Sequence, residues 1–161
     1  MTIRYSTGVY NGLLGKNGTD TGADGLRGQF ANCCIDFYQG TQPTSANNAS
    51  GSTYLGQATL NGGAFAHGTA TNGLNFDAPV LATLGIPSGA QWILNVTAAG
   101  TANWARVKAN PVDNDSVSTT LKRIDMTVGI NTGECRMSVV NLQVGQTVTI
   151  NSCNIAGGGT V

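Results

Sequence analysis

The segment LKRIDMTVGI, residues 121–130, puts Ile124, Met126, Val128 and Ile130 at every second position, with Asp125, Thr127 and Gly129 between them. Successive side chains of an extended chain point to opposite sides, so a period of two predicts a strand with one face buried. The pattern recurs along the chain. In ANCCIDFYQG (31–40), Cys33, Ile35 and Phe37 share one face, and Cys34, Asp36 and Tyr38 the other. Tyr54 to Leu60 reads as the next strand and ends at an Asn61–Gly62–Gly63 turn. AFAHGTATNGLNFDAPV (64–80) reads as short strands broken at Gly68 and at Asn72–Gly73. Trp92, Leu94 and Val96 align in WILNVTA, and Trp104, Arg106 and Lys108 alternate with Ala105 and Val107 in WARVKA. ECRMSVV and QTVTINSCNI supply a final pair. About eight or nine short strands without a helical crossover pattern predict an all-β chain, an antiparallel β-sandwich of jelly-roll type.

Composition agrees. Glutamate occurs once, at Glu134, while glycine occurs 23 times. Helices draw on Glu, Lys, Leu and Arg, whereas Gly, Asn and Thr favour turns between strands. Residues 1–30 are weakly patterned. GVYNGLLG suits a single turn or short helix, and KNGTDTGADG is loop chemistry. The expected organisation is an N-terminal arm or irregular lead-in over 1–30, a β-domain over 31–155 and a flexible tail over 156–161.

Formal net charge is zero, and the eight basic residues are scattered. Such a chain does not neutralise a run of phosphates, so nucleic acid is not an expected partner. No apolar run approaches the roughly 18 residues of a membrane span, and the amino terminus lacks the apolar block of a signal peptide. Synthesis in a cytoplasm is expected, with no membrane partner. Only 10% of residues are charged, so a surface of small neutral side chains opposes association weakly. That favours a role in an assembly.

Candidate chemistry is sparse. Cys33 and Cys34 are adjacent, so on a strand they face opposite ways and do not share a metal ion. Matching apolar partners in the last hairpin sets Met137 opposite Ile150 and Val139 opposite Val148. Cys135 then faces Ser152, and Cys153 points away. The cysteines are therefore expected to be small buried hydrophobes rather than a disulfide. His67, the single histidine, sits in a turn-like stretch with no nucleophile motif around it. Most of the acids (Asp20, Asp24, Asp36, Asp77, Asp113, Asp115, Asp125 and Glu134) fall in apparent loops, where aspartates commonly form Asx-turns. The DNDS stretch (113–116) lacks the Gly and Glu that a calcium loop would place at 118 and 124. No catalytic, cofactor-binding or metal-binding residue is assigned, and an enzyme is not expected. Trp92, Trp104, Tyr38 and Tyr54 offer the one alternative, a sugar-stacking platform, although aromatics isolated on strands more often belong to a core.

IRYSTG near the start, then LRGQFANCCIDFYQGTQP, LGQATLNGGAF and ATNGLNFDAP, followed by WARVKA and LKRIDMTVG, resemble a family of small virion proteins of tailed bacteriophages. The likeness covers roughly residues 3–155. The Cys33–Cys34 pair departs from it, where small or β-branched residues are usual. The resemblance implies a capsid decoration (cement) protein: a β-sandwich on the outer surface of the head that stabilises contacts between major capsid subunits. Its partners would be the major capsid protein and further copies of itself, as a homodimer or homotrimer. It would be made in the host cytoplasm and end in the virion. The alternative is a carbohydrate-binding or receptor-binding module of the phage tail or fibre.

Overall fold

The computed structural model describes residues 3–14 and 25–156. In chain order the elements are β1 (Arg4–Tyr5), α1 (Thr7–Leu13), α2 (Gly25–Gln29), β2 (Cys34–Gln39), β3 (Thr53–Leu60) and β4 (Thr83–Leu84). They continue with β5 (Trp92–Val96), β6 (Gly100–Thr101), β7 (Trp104–Lys108), β8 (Arg123–Gly129), β9 (Cys135–Met137), β10 (Asn141–Leu142), β11 (Thr147–Cys153) and β12 (Ile155–Ala156). The all-β expectation holds.

The pairing order is β8–β7–β2–β3–β5–β11–β9, and β9 returns to pair with β8. Seven strands thus close into a barrel-like sheet, whereas a sandwich or jelly roll would divide them between two facing sheets. Closure rests on a short element. β9 has three residues, antiparallel to β11 but parallel to β8, where Val128 faces Cys135 and Gly129 faces Arg136. The same edge of β8 takes β1 further along, with Arg4 opposite Asp125 and Tyr5 opposite Ile124. A ring leaves no long free edge to recruit other chains. Two small ribbons, β6 with β10 and β4 with β12, complete the pairing.

Alternation sorts the interior much as the sequence suggests. Ile35, Phe37, Ala58, Leu94, Val107, Ile124 and Met126 are fully buried, and Val148 and Ile150 nearly so. Each large side chain of this kind contributes about 1.5–3 kcal/mol on burial. Ile130 is the exception. It was expected to face in, but it lies past the end of β8 and is 49% exposed.

The lead-in is built into the barrel over its described residues. Ser6 caps α1, with its Oγ accepting from Val9 N at 3.3 Å. The same hydroxyl donates to Leu121 O at 2.8 Å and accepts from Arg123 N at 2.9 Å. A methyl group on Gly8 would stand 2.4 Å from Thr120 O, so only glycine allows α1 this approach. The loop expected over KNGTDTGADG lies outside the described residues except for Gly25. Of the expected tail, Ala156 ends β12 and residues 157–161 lie outside the described residues.

Candidate functional site

The outward faces of β2, β7 and β8 carry rows of side chains in register. One row runs Gln57–Asp36–Arg106–Asp125–Arg4 across five strands. The next holds Cys34, Lys108 and Arg123, and a third Tyr38, Trp104 and Thr127. Alternation predicts that such a polar face meets water. Instead every residue of β7 is buried, and β2 is buried up to its last residue. The cover comes from the loops around 43–50 and 110–121. They join where Ser118 N donates to Asn47 O at 2.8 Å. Arg4 Nη1 also donates to Pro43 O from beneath.

The two covering aspartates complete the charge pattern. Arg106 forks onto Asp125, with Nε to Oδ1 at 2.6 Å and Nη2 to Oδ2 at 2.8 Å, and reaches Asp115 Oδ1 through Nη1 at 2.6 Å. Lys108 Nζ lies 2.8 Å from Asp36 Oδ2 and 3.5 Å from Asp115 Oδ1. Arg123 holds Asp113 through Nε at 2.6 Å and Nη2 at 2.5 Å. Gln57 Nε2 donates to Asp36 Oδ1 at 2.9 Å. Tyr38 stacks on Trp104 with ring centroids 4.4 Å apart, and its hydroxyl donates to Asp115 Oδ2 at 3.2 Å.

The titration behaviour follows from these contacts. Burial opposes the charge on Lys108, but Asp36 and the aspartates above it outweigh burial and raise its pKa above 10.5. Burial likewise works against the Arg106 guanidinium, and Asp125 and Asp115 more than reverse this. Asp113 and Asp115 are drawn below 3.8 against the pull of burial. The hydrogen bonds from Arg123 do this for Asp113, and hydrogen bonding with the charges of Lys108 and Arg106 does it for Asp115. Burial raises Asp125, and the Arg106 fork opposes it. Cations therefore occupy the carboxylates of this face. The cluster fastens the covering loops to the barrel, with Asp115 alone of its four aspartates keeping an appreciably exposed side chain, at 19%.

The other sequence candidates separate. His67 Nδ1 lies 3.0 Å from Asn110 O, and its ring meets the edge of Phe65. Asp77 accepts from Ala78 N at 2.7 Å. Glu134 accepts from Thr127 N at 2.8 Å and from the Thr127 hydroxyl, at the end of the outward face of β8 and without a cation of the cluster. Asp113 does form the Asx-turn expected of it, accepting from Asp115 N at 2.8 Å, while also holding Arg123. Asp20 and Asp24 lie outside the described residues. Among the described residues no three His, Cys, Asp or Glu side chains are grouped to hold a metal ion. The sugar platform does not form. Trp92 is 1% exposed and packs edge-on against Phe76, and Trp104 is fully covered.

Sequence reading missed the charged face because its members come from three strands and a loop. The one signal was the like spacing of Asp36, Arg106, Lys108, Arg123 and Asp125 at outward positions, with Arg106 set between Asp36 and Asp125 across neighbouring strands.

A second feature sits at the surface. Val80 and Thr83 exchange backbone hydrogen bonds at 3.0 Å in each direction around a two-residue turn. Its central residues, Leu81 and Ala82, have φ of 49° and 59°. This left-handed backbone suits Asn–Gly and costs a branched residue about 1 kcal/mol. Leu81 at the tip is 95% exposed and Val80 is 70% exposed.

No family model matches the chain, nor does any curated protein or solved structure.

Proposed function

We propose that this chain is a virion structural protein that decorates a bacteriophage head, binding the outer surface and stabilising contacts between major capsid subunits. It would act as a homodimer or homotrimer, made in the host cytoplasm and carried on the capsid. The resemblance in strand and loop phrasing suggests the class. The observation that carries the reading is the Val80–Thr83 turn, where an apolar side chain stands in water on strained backbone. Strain of this kind persists where the surroundings enforce it and is concentrated at binding and switch sites. The β4–β12 ribbon ties the base of the tip to the chain that leaves β11. Weak apolar contacts repeated at every lattice position add up through multivalency.

The decisive experiment mixes the purified protein with heads that lack it. Saturable binding and greater heat resistance of the shells are expected, and neither effect would be seen if the reading is wrong. Replacing Leu81 and Ala82 together by Asn and Gly relieves the turn. The free protein should gain about 1 kcal/mol in urea unfolding while its binding to heads falls at least several-fold. Unchanged binding would remove the tip from the interface. Attachment to tails with glycan-dependent binding would favour the receptor-binding alternative.

A further inference from the structure

Cys135 and Cys153 are directly opposed partners on the antiparallel strands β9 and β11. The straight register, in which Met137 pairs with Ile150, would put Ser152 opposite Cys135. Met137 does pair with Ile150, but a bulge follows, so that Asn151 and Ser152 together oppose Arg136 and the cysteines meet. The bulge satisfies both the apolar pairing and the cysteine pairing, which had looked mutually exclusive.

We infer that Cys135 and Cys153 form a latent cross-link site, a disulfide that staples the seam of the barrel when the chain meets an oxidant of the glutathione disulfide class. Three observations support this. Opposed residues of an antiparallel pair have Cα atoms about 4.5–5.5 Å apart, inside the roughly 4.4–6.8 Å that a disulfide spans. Opposed residues share a face of the sheet, and both thiols are fully buried on the barrel interior. Neither of the other two cysteines is a strand partner of Cys135 or Cys153. Cys33 shares the barrel interior and acts electrostatically on Cys153, but its backbone pairs with Leu74. Cys34 lies on the outward face, where Gln57 Nε2 donates to its sulfur at 3.4 Å.

All four thiols are free in the structure. Hydrogen bonding to Cys135, together with burial, raises the Cys153 thiol well above its usual pKa, so exchange in the folded state is slow. The reaction balances simply. One protein thiol loses its proton and attacks glutathione disulfide, forming a mixed disulfide and releasing one glutathione thiolate. The second then attacks the protein sulfur of that mixed disulfide and releases the other. Two protein thiols are oxidised and one glutathione disulfide is reduced to two thiols.

The location gives the bond its effect. Among the described residues β9 alone joins β11 to β8, and it meets β8 over two residue pairs. A bond at Cys135 would tie that seam to the longer β11. The inference does not depend on the proposed role in a virion.

The test refolds the full chain from urea in glutathione redox buffer, so that burial does not limit access. Remaining thiols are alkylated under denaturing conditions, followed by intact-mass measurement and peptide mapping. Loss of two alkylation sites, a linked Cys135–Cys153 peptide and a melting temperature raised by roughly 5–10 °C and restored by dithiothreitol are expected. The variant C153A should keep three alkylatable thiols and show no response to the redox buffer. Four alkylated thiols after oxidative refolding, a glutathione adduct without an internal bond, or a link through Cys33 or Cys34 would each overturn the inference.

Discussion

Arg123 shows how much one side chain can hold in this chain. Its guanidinium is fully buried and grips Asp113, whose side chain is 2% exposed. Its backbone N–H meanwhile donates to the Ser6 hydroxyl that caps α1. Removing one partner of a buried pair leaves a charge without compensation, which costs about 3–5 kcal/mol. Arg123→Leu is expected to destabilise the protein by that amount in urea unfolding, and adding Asp113→Leu should recover part of the loss. If the double variant were no better than the single one, the stranded Asp113 charge would not be the cause. Asp125, Arg106 and Asp36 look like ordinary surface residues in the sequence, since alternation places them opposite the core positions. Their burial arises because Asp113 and Asp115, in the loop between β7 and β8, bring that loop down on top of them.

At the scale of the element, β3 and β5 show how closely neighbouring strands approach. Gly56 sits where β3 shifts register against β2, opposite both Phe37 and Val96. A Cβ there would lie 2.1 Å from Asn95 O, a backbone atom held in the β3–β5 ladder. Gly56→Ala therefore forces two paired strands apart and is expected to cost roughly 3 kcal/mol. Circular dichroism melting would check this, and a variant as stable as the parent would show that the strands separate easily. The strands themselves follow from the alternation of their residues, and β2, β3, β5, β7 and β8 fall where period two puts them. The last hairpin differs at one position. Alternation gives the Met137–Ile150 pair but has no means of placing a bulge, because an extra residue alters the phase without altering which residue types follow it.

For the whole molecule, buried ionisable groups set the dependence of stability on pH. Asp113 and Asp115 have native pKa values below 3.8. Their contribution is therefore present above that value and is lost as pH falls through the native values. Lys108 is raised above 10.5, so its contribution is present below that value and is lost as pH rises through the native one. Asp125, raised by burial, acts in the opposite sense in acid, leaving Asp113 and Asp115 to carry the acid loss. The melting temperature should be level near neutrality, fall below about pH 4 and fall again above about pH 9. There the thiols of Cys33, Cys34 and Cys153 and the Tyr38 hydroxyl, held protonated by burial and at Cys153 first by hydrogen bonding to Cys135, lose their contribution before Lys108 does. Asp113→Asn should lower the plateau and flatten the acid limb. An acid limb of unchanged steepness would place its cause in other carboxylates.

The sequence alone determined the all-β class, most of the strands and the apolar residues inside them, because these depend on which side of an extended chain each residue occupies. It also determined that Cys33 and Cys34 face apart. The tertiary structure decided what period two cannot carry. Which strands neighbour one another set the closure of the ring through β9. Which loops return over the outer face turned a seemingly wet surface into a buried ion cluster. A bulge of one residue brought Cys135 and Cys153 together. These outcomes depend on contacts between residues distant in the chain, where the chemistry of one segment has meaning only once another is laid against it.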